Sequence, residues 1–347
     1  MNDEKLSIIG TGLICLDIIQ SYNNTYYMAG GSCGNVLTAL SFLGWEGTLI
    51  KNTYRDLAGR VINDDLNSIG VHCLEYGIPV DAPRIIQNID IIDGLPKHKY
   101  LFQCPICGKT LPKLKPISEK DGQNILAGVH KPNVFYTDRS SKGINLLRNR
   151  LIQEGTWFFY EPNSCRNPKL VLENAAESHI IKFSSDRIPN SIAERIRNDA
   201  YNQNTVLIVR TEGSKGLSFC YKTRKKGEMS KWHHLDAIST PTIVDTAGAG
   251  DWCSAGILYV LVQKFPVYKN WLSYSDVVGA LQFGQALSAI SCGFLGAQGL
   301  IHSDATEVLE KLIDNHKDII KPINKESTLL SPPKHEAFCE KCLMRIQ

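Results

Sequence analysis

The sequence predicts an α/β fold in three layers, with a mostly parallel central sheet covered by helices on both faces. Three observations predict it. Short runs of consecutive apolar residues recur along the chain, as in strands buried on both faces. Segments with helical spacing lie between them, several ending at a glycine. The two kinds alternate over most of the length, as in βαβ units. With 347 residues, 43% hydrophobic and 21% charged, the chain suits one large globular domain with room for a small appended lobe.

Taken in order, Leu6–Gly10 is the first strand, and Thr11-Gly12 leads to a second apolar run ending at Ile19. Val36–Leu43 has helical spacing and stops at Gly44. Thr48–Lys51 is a short strand, and Leu57–Ile69 is a helix ended by Gly70. Strands follow at Val134–Tyr136, Trp157–Tyr160, His179–Lys182 and Val206–Val209. Helices at Gly143–Gln153, Leu170–Glu177 and Ser191–Asn202 separate them. A strand ending near Val244 runs into a glycine turn, and a helix opens near Gly250 or Asp251. Ser275–Ile290 reads as one long, mostly buried helix. Two regions interrupt the alternation: residues 75–118, rich in Pro, Lys and Ile, and the polar tail 321–347.

Composition excludes several function classes. A net charge of +3 offers no electrostatic reason for a nucleic-acid or membrane partner. No apolar run is long enough to span a bilayer. The acidic start, Met-Asn-Asp-Glu-Lys, is unlike a secretory leader, so a cytoplasmic location is expected. The 11 cysteines are an odd number spread over a long chain, which does not suit a secreted disulfide framework.

The most informative segment is Asp245-Thr-Ala-Gly-Ala-Gly-Asp251. A small-residue turn at a helix start leaves backbone N–H groups free to meet an anion. A carboxylate there opposes phosphate binding, unless Asp251 takes a proton from a hydroxyl as it attacks a phosphoryl group. A glycine-rich turn with an aspartate cap is the plain alternative. Upstream, Asp17 can accept two hydrogen bonds from a diol. In Met28-Ala-Gly30-Gly31-Ser32-Cys33-Gly34-Asn35, two glycines allow a ligand against backbone and Asn35 adds a donor and an acceptor. Their plain readings are a strand-end carboxylate and a capped loop.

Together these segments resemble the two signatures of the ribokinase (PfkB) family of carbohydrate kinases, and the resemblance runs from about Leu6 to about Ile313. It implies a ribokinase-like kinase domain over residues 1–320. A small β lid would be drawn from residues near 15–30 and 75–118, with 321–347 left as a tail. The implied activity is ATP- and Mg2+-dependent phosphorylation of a hydroxymethyl group on a sugar or sugar-like molecule. Asp251 becomes the general base and Ala247, Gly248, Ala249 and Gly250 the anion hole. Asp17, Gly30, Gly31 and Asn35 hold the acceptor. Arg55-Asp56-Leu-Ala-Gly59 matches the next family segment loosely, and Gly296-Ala297 matches a turn near the adenine pocket.

The resemblance assigns the nucleotide to Lys182, Ser184, Thr211, Gly213, Gly216, Asp245 and Thr246. Glu161-Pro162-Asn163 resembles the family's Asp-Pro-Asn. The chain departs from the pattern at Cys253, where the family has an aromatic residue, and at Ser184 and Arg187, where an Asn and a Glu are usual. That Glu is tied to magnesium, so Glu161 or Asp186 would have to compensate. A nucleoside kinase of the same fold and a non-catalytic sugar or nucleotide sensor are the alternatives. A homodimer through the lid is the assembly the resemblance allows.

Two Cys-x-x-Cys pairs fall outside that pattern, Cys104/Cys107 and Cys339/Cys342. Their spacing suits a structural zinc site of four thiolates, with His98 and His335 as reserve ligands. Two redox-active pairs, or ordinary cysteines near one another by chance, are the alternatives.

Overall fold

The computed structural model describes residues 5–303, apart from 22–23, 93–94, 201–202, 225–226 and 241. In chain order the elements are β1 (Ser7–Thr11), β2 (Cys15–Ser21), β3 (Asn24–Gly30), α1 (Ser32–Phe42), β4 (Glu46–Tyr54), α2 (Leu57–Ser68), β5 (Val71–Val80), β6 (Arg84–Ile92) and β7 (Leu95–Leu101). Then come α3 (Glu119–Leu126), β8 (Val134–Thr137), α4 (Lys142–Gln153), β9 (Trp157–Tyr160), α5 (Pro168–Glu177), β10 (Ile180–Ser184) and α6 (Asn190–Asp199). The described part finishes with β11 (Leu207–Thr211), β12 (Leu217–Tyr221), β13 (His233–Leu235), α7 (Ala249–Lys264) and α8 (Tyr274–Ser291).

The main sheet has nine strands in the order β13-β12-β11-β10-β9-β8-β1-β4-β5. Pairing is parallel from β11 to β5 and antiparallel only at the β11–β12–β13 edge. The parallel strands are apolar throughout because each face meets a helix layer. Val134, Tyr136, Trp157 and Phe159 enter one core with α1, α2, α7 and α8. Their neighbours Phe135, Phe158 and Tyr160 enter the opposite core with α3, α4, α5 and α6. The period of two along each strand thus divides one apolar run between two cores.

Helix ends follow local chemistry. Ser141 accepts the N–H of Ile144 at the start of α4, and Ser273 and Asp276 form a reciprocal capping box on α8. Gly44, Gly70 and Gly155 follow α1, α2 and α4 with φ of 92°, 82° and 87°, the left-handed stop that glycine adopts without strain.

A second sheet of four strands, β3-β2-β6-β7, forms the lid. Its two hairpins are antiparallel and join through a parallel β2–β6 pair. Two expectations need correction. Asp17 does not end the first strand: β1 stops at Thr11, and Asp17 sits within lid strand β2 opposite Met28. No strand ends near Val244; the N–H groups of Val244 and Asp245 instead donate to the carbonyl of Cys292, just past α8, at 2.8 and 3.2 Å. That segment therefore hangs on a helix end, which an apolar pattern in sequence does not reveal.

Helices α7 and α8 cross at a pair of glycines. A Cβ on Gly256 would lie 2.6 Å from the Cα of Gly284, and one on Gly284 would lie 2.6 Å from the carbonyl oxygen of Cys253. Gly284→Ala is expected to cost ~1–3 kcal/mol by forcing the helices apart. Chemical denaturation checks this; an unchanged midpoint would show that the crossing relaxes freely.

Candidate active site

The candidate site residues gather at the carboxyl ends of the parallel strands, the usual position for a site in such sheets. The floor is the start of α7. Gly248 takes φ 76°, and a Cβ there would lie 2.5 Å from the Cβ of Ala297, so the position accepts only glycine. Trp252 Nε1 donates to the Ala297 carbonyl at 2.9 Å and ties the helix start to the Gly296-Ala297 turn.

Asp245 organises this turn. One carboxylate oxygen accepts the N–H of Ala247 at 2.7 Å and the other that of Gly296 at 2.8 Å, and the residue is fully buried. The N–H of Ala249 goes to the Thr246 carbonyl at 3.3 Å. Of the four residues in the expected anion hole, Ala247 and Ala249 thus have their N–H groups committed. Those of Gly248 and Gly250 find no acceptor among the described residues.

Asp251 stands in the first turn of α7, and Asn35 Nδ2 on α1 donates to its Oδ2 at 2.7 Å. Burial, then the nearby charge of Glu161, pushes its carboxyl up to about 7, while the Asn35 hydrogen bond and Lys182 pull the other way. Lys182 is buried and ion-paired with Glu161. Burial opposes its charge, but Glu161 outweighs burial and holds the ammonium above its ordinary value. Glu161 also accepts from Tyr136 at 3.1 Å and Ser254 at 2.5 Å. Its oxygens are therefore engaged, whereas Asp186 lies exposed just after β10.

The residues expected to hold the acceptor come from the lid and α1. Asp17 is 4% exposed, and burial pushes it up to about 7 against hydrogen bonds from Cys15 and Gln87. A Cβ on Gly30 would lie 2.0 Å from Asp17 Oδ2, so the glycine lets this carboxylate lie against the neighbouring strand. Gly31 has φ 89° and leads into α1, where Asn35 Oδ1 is buried without a hydrogen-bond partner. Such an orphaned acceptor carries a desolvation cost that a ligand hydroxyl would relieve.

Sequence reasoning missed two contributors. Asp138 follows β8, is 2% exposed, and accepts the N–H of Leu13 at 2.8 Å, with Arg139 Nη1 2.9 Å away. Burial raises its carboxyl. Its signal was a carboxylate straight after a buried strand, the same signal that Asp17 was thought to carry. The second contributor is β7, which brings His98 Nε2 to 2.8 Å from Asp245 Oδ1 and stacks His98 on Tyr100 at 5.8 Å.

Of the residues expected at the nucleotide, Ser184 and Thr211 are paired in register at the ends of β10 and β11. The loop to β12 turns on Gly213 (φ 59°) and Gly216 (φ 94°), and a Cβ on Gly216 would lie 2.1 Å from the Leu235 carbonyl oxygen. The run is a β-hairpin connection, so its plain reading and its nucleotide reading describe the same backbone. Arg187 is exposed, and its charge acts on the Tyr100 phenol of the lid.

Among the described residues no group of three or more His, Cys, Asp or Glu side chains could hold a metal ion. Cys104 and Cys107 lie on a turn after β7, whereas Cys339, Cys342 and His335 lie outside the described residues. His98 turns toward Asp245 rather than serving as a reserve ligand to Cys104 and Cys107. No described helix is long and apolar enough to cross a membrane.

Residues 163–304 match the family model described as pfkB family carbohydrate kinase. No curated protein matches the sequence. Among solved structures, the chain is similar to a double mutant of the fructokinase from Vibrio cholerae O395 in a fructose-, ADP- and potassium-bound form (16% identity, TM-score 0.66, 86% of this chain and 95% of that one). It is similar to the aminoimidazole riboside kinase from Salmonella enterica complexed with aminoimidazole riboside and an ATP analog (19%, TM-score 0.59, 84% and 95%). It is also similar to the ribokinase from Giardia lamblia (14%, TM-score 0.69, 90% and 100%). At these identities the shared property is the ribokinase-like fold, with its mostly parallel sheet and small lid.

The raised carboxyl of Asp17 has a consequence for stability. Its value rises from 3.8 to about 7, so the cost of ionising it in the folded state is small at pH 4, develops through the window between, and is full at pH 8. Asp17→Asn is therefore expected to raise the melting temperature at pH 8 and to leave it nearly unchanged at pH 4. Equal shifts at both values would remove the electrostatic explanation.

Proposed function

We propose that this protein transfers the γ-phosphoryl group of ATP to a hydroxymethyl group of a neutral, hydroxyl-rich small molecule of the sugar or nucleoside class. The observation that carries the reading is Asp251. It is a carboxylate at a helix N-terminus, oriented by Asn35 and raised to about 7, beside two glycine N–H groups with no acceptor among the described residues. A carboxylate with that value is matched to proton abstraction near neutral pH.

The acceptor lies between the lid and α1. Asp17 and the Asn35 side chain hold its hydroxyl groups, while Gly30 and Gly31 let it approach backbone. Asp138 lines the same side. With Lys182 paired to Glu161 and Arg139 paired to Asp138, this side of the cleft is rich in carboxylates. That charge balance disfavours an anionic acceptor such as a sugar acid. In the reaction, Asp251 takes the proton as the hydroxyl oxygen forms its bond to the γ-phosphorus, and the bond from that phosphorus to the β,γ-bridging oxygen breaks to release ADP. The N–H groups of Gly248 and Gly250 stabilise charge on the equatorial oxygens. Asp245 acts by holding the turn in shape. Lys182, Ser184, Thr211, Thr246, Gly213 and Gly216 define the nucleotide side.

Mg2+ neutralises charge on the β- and γ-phosphates when bound. It is commonly held by one or two carboxylates plus the phosphates themselves, and the exposed Asp186 would supply such a carboxylate beside the Ser184 hydroxyl. A nucleoside acceptor is the second reading. The His98–Tyr100 stack on β7 favours it, because two aromatic faces on the lid suit a base.

Substrate scans, one variant's turnover and pH profiles test the reading. Coupled ADP release should be found with a neutral sugar or nucleoside and be absent with the matching sugar acid. No release across pentoses, hexoses and nucleosides would instead support a sensor. Asp251→Asn should lower kcat about 10²–10⁴-fold, the usual range for a lost general base, with ATP binding retained. The acidic limb of kcat/KM should fall near pH 7, since the ionised carboxylate is the active form. Glu161→Gln removes a like charge and should move that limb to lower pH; movement to higher pH would assign the limb to another group.

A further inference from the structure

The lid holds a side chain that neither the family resemblance nor the proposed chemistry uses. Strand register shows which residues line its inner face. Between β2 and β6 the pairs are Asp17–Ile85 and Ile19–Gln87, and between β6 and β7 they are Gln87–Tyr100 and Ile89–His98. Paired residues point the same way, as do residues two apart on one strand. Asp17, Ile19, Gln87 and Ile89 therefore share a face with His98 and Tyr100. Ile19 and Ile89 pack there with Met28 and with Leu295 from beyond α8, and His98 Nε2 lies 2.8 Å from Asp245 Oδ1. This face is the one turned to the floor of the site.

Gln87 is 4% exposed, on a face whose neighbouring positions are apolar. Its side chain is hydrogen-bonded to Asp17. A carboxylate only accepts, so the amide nitrogen donates and the carbonyl oxygen is left over. That oxygen, Oε1, is buried with no hydrogen-bond partner among the described residues. Asn35 repeats the arrangement from α1: Nδ2 donates to Asp251 at 2.7 Å, and Oδ1 is buried and unmet. Each amide thus holds one carboxylate through its nitrogen and keeps its oxygen in reserve. A buried acceptor without a donor costs free energy, and an apolar side chain at position 87 would avoid that cost. Two such oxygens, each on an amide bonded to a site carboxylate, point to a ligand that brings the donors.

We propose that Gln87 selects the acceptor: its Oε1 takes a hydrogen bond from an acceptor hydroxyl other than the one phosphorylated, as the counterpart of Asn35 Oδ1. This role rests on the reading of the cleft as the seat of a neutral, hydroxyl-rich acceptor. It narrows that class to molecules that keep a free hydroxyl under the lid, away from the reacting hydroxymethyl. A carbonyl oxygen cannot donate, so a deoxy or fluoro group at that position leaves Oε1 unmet. Gln87 carries no proton in the transfer; it is a specificity residue.

The test pairs variants with analogues. Wild type, Gln87→Met and Gln87→Leu, each checked for folding by circular dichroism, are assayed with pentoses, hexoses and nucleosides. Monodeoxy and monofluoro analogues follow for each acceptor that gives ADP release. With the parent acceptor both variants should lose about 2–12-fold in kcat/KM through a higher KM, the worth of one neutral hydrogen bond. One deoxy analogue should lose a similar factor on wild type and nothing further on the variants, and its fluoro counterpart should match it. An equal loss on every analogue would show that Gln87 acts only by holding Asp17 and would overturn the proposal. A fluoro analogue as good as the parent would overturn it too, and both outcomes leave phosphoryl transfer standing. Where nothing is turned over, the same compounds are read by the rise in melting temperature they cause. A rise with one polyol, lost with its deoxy analogue and with Gln87→Met, would keep the role of Gln87 and overturn the transfer. No turnover and no rise with any compound would overturn both.

Discussion

The buried carboxylate of Asp245 is the contact on which the cleft depends. It has no secondary structure of its own to rest in, since the segment before it is neither strand nor helix. Its two oxygens draw together the Ala247 N–H and the Gly296 N–H, from loops far apart in the chain. A charged acceptor makes these stronger than neutral hydrogen bonds. With that link made, Gly248 is pressed against Ala297 in the left-handed region, Trp252 docks on the Ala297 carbonyl, and α7 starts where it does. The N–H groups of Gly248 and Gly250 are left over as a consequence of this geometry.

Charge in the cleft is arranged by distance and burial together. Asp17, Asp138 and Asp251 all have raised carboxyls, and burial is the leading cause for each. Lys182 offsets Glu161 directly and softens Asp251 at longer range. The result separates roles among chemically identical groups. Asp245 is engaged by backbone donors and shapes the turn. Asp251 has one side-chain donor and a raised value, the combination suited to exchanging a proton.

Much of the fold was legible in sequence because buried parallel strands leave a strong mark. Val134–Tyr136 and Trp157–Tyr160 are apolar at every position, and both lie in the central sheet. Glycine stops at Gly44 and Gly70 marked true helix ends. The lid was harder. Its strands β6 and β7 are partly exposed and carry Pro, Lys and Asp, so they lack the apolar signature. The segment before Asp245 misled for the opposite reason: Ile243 and Val244 look like a strand, yet their surroundings are the end of α8 and the lid.

For the candidate site, residue type and order pointed to Asp17, Asn35 and Asp251, because glycine turns and isolated carboxylates are local features, while Lys182 and Thr211 came from the family resemblance. What lies next to what was not local. Asn35 meets Asp251 across 216 positions of chain, and Asp138 joins through Leu13 across 125. His98 reaches Asp245 only because the lid folds over the cleft. The sequence by itself determined the alternation of strands and helices and the glycine turn, since both follow from short-range pattern and backbone freedom. Tertiary structure decided which N–H groups find acceptors, which carboxylate holds the turn and which carboxyls burial raises. Those properties are set by burial and by partners that only packing brings within hydrogen-bond distance.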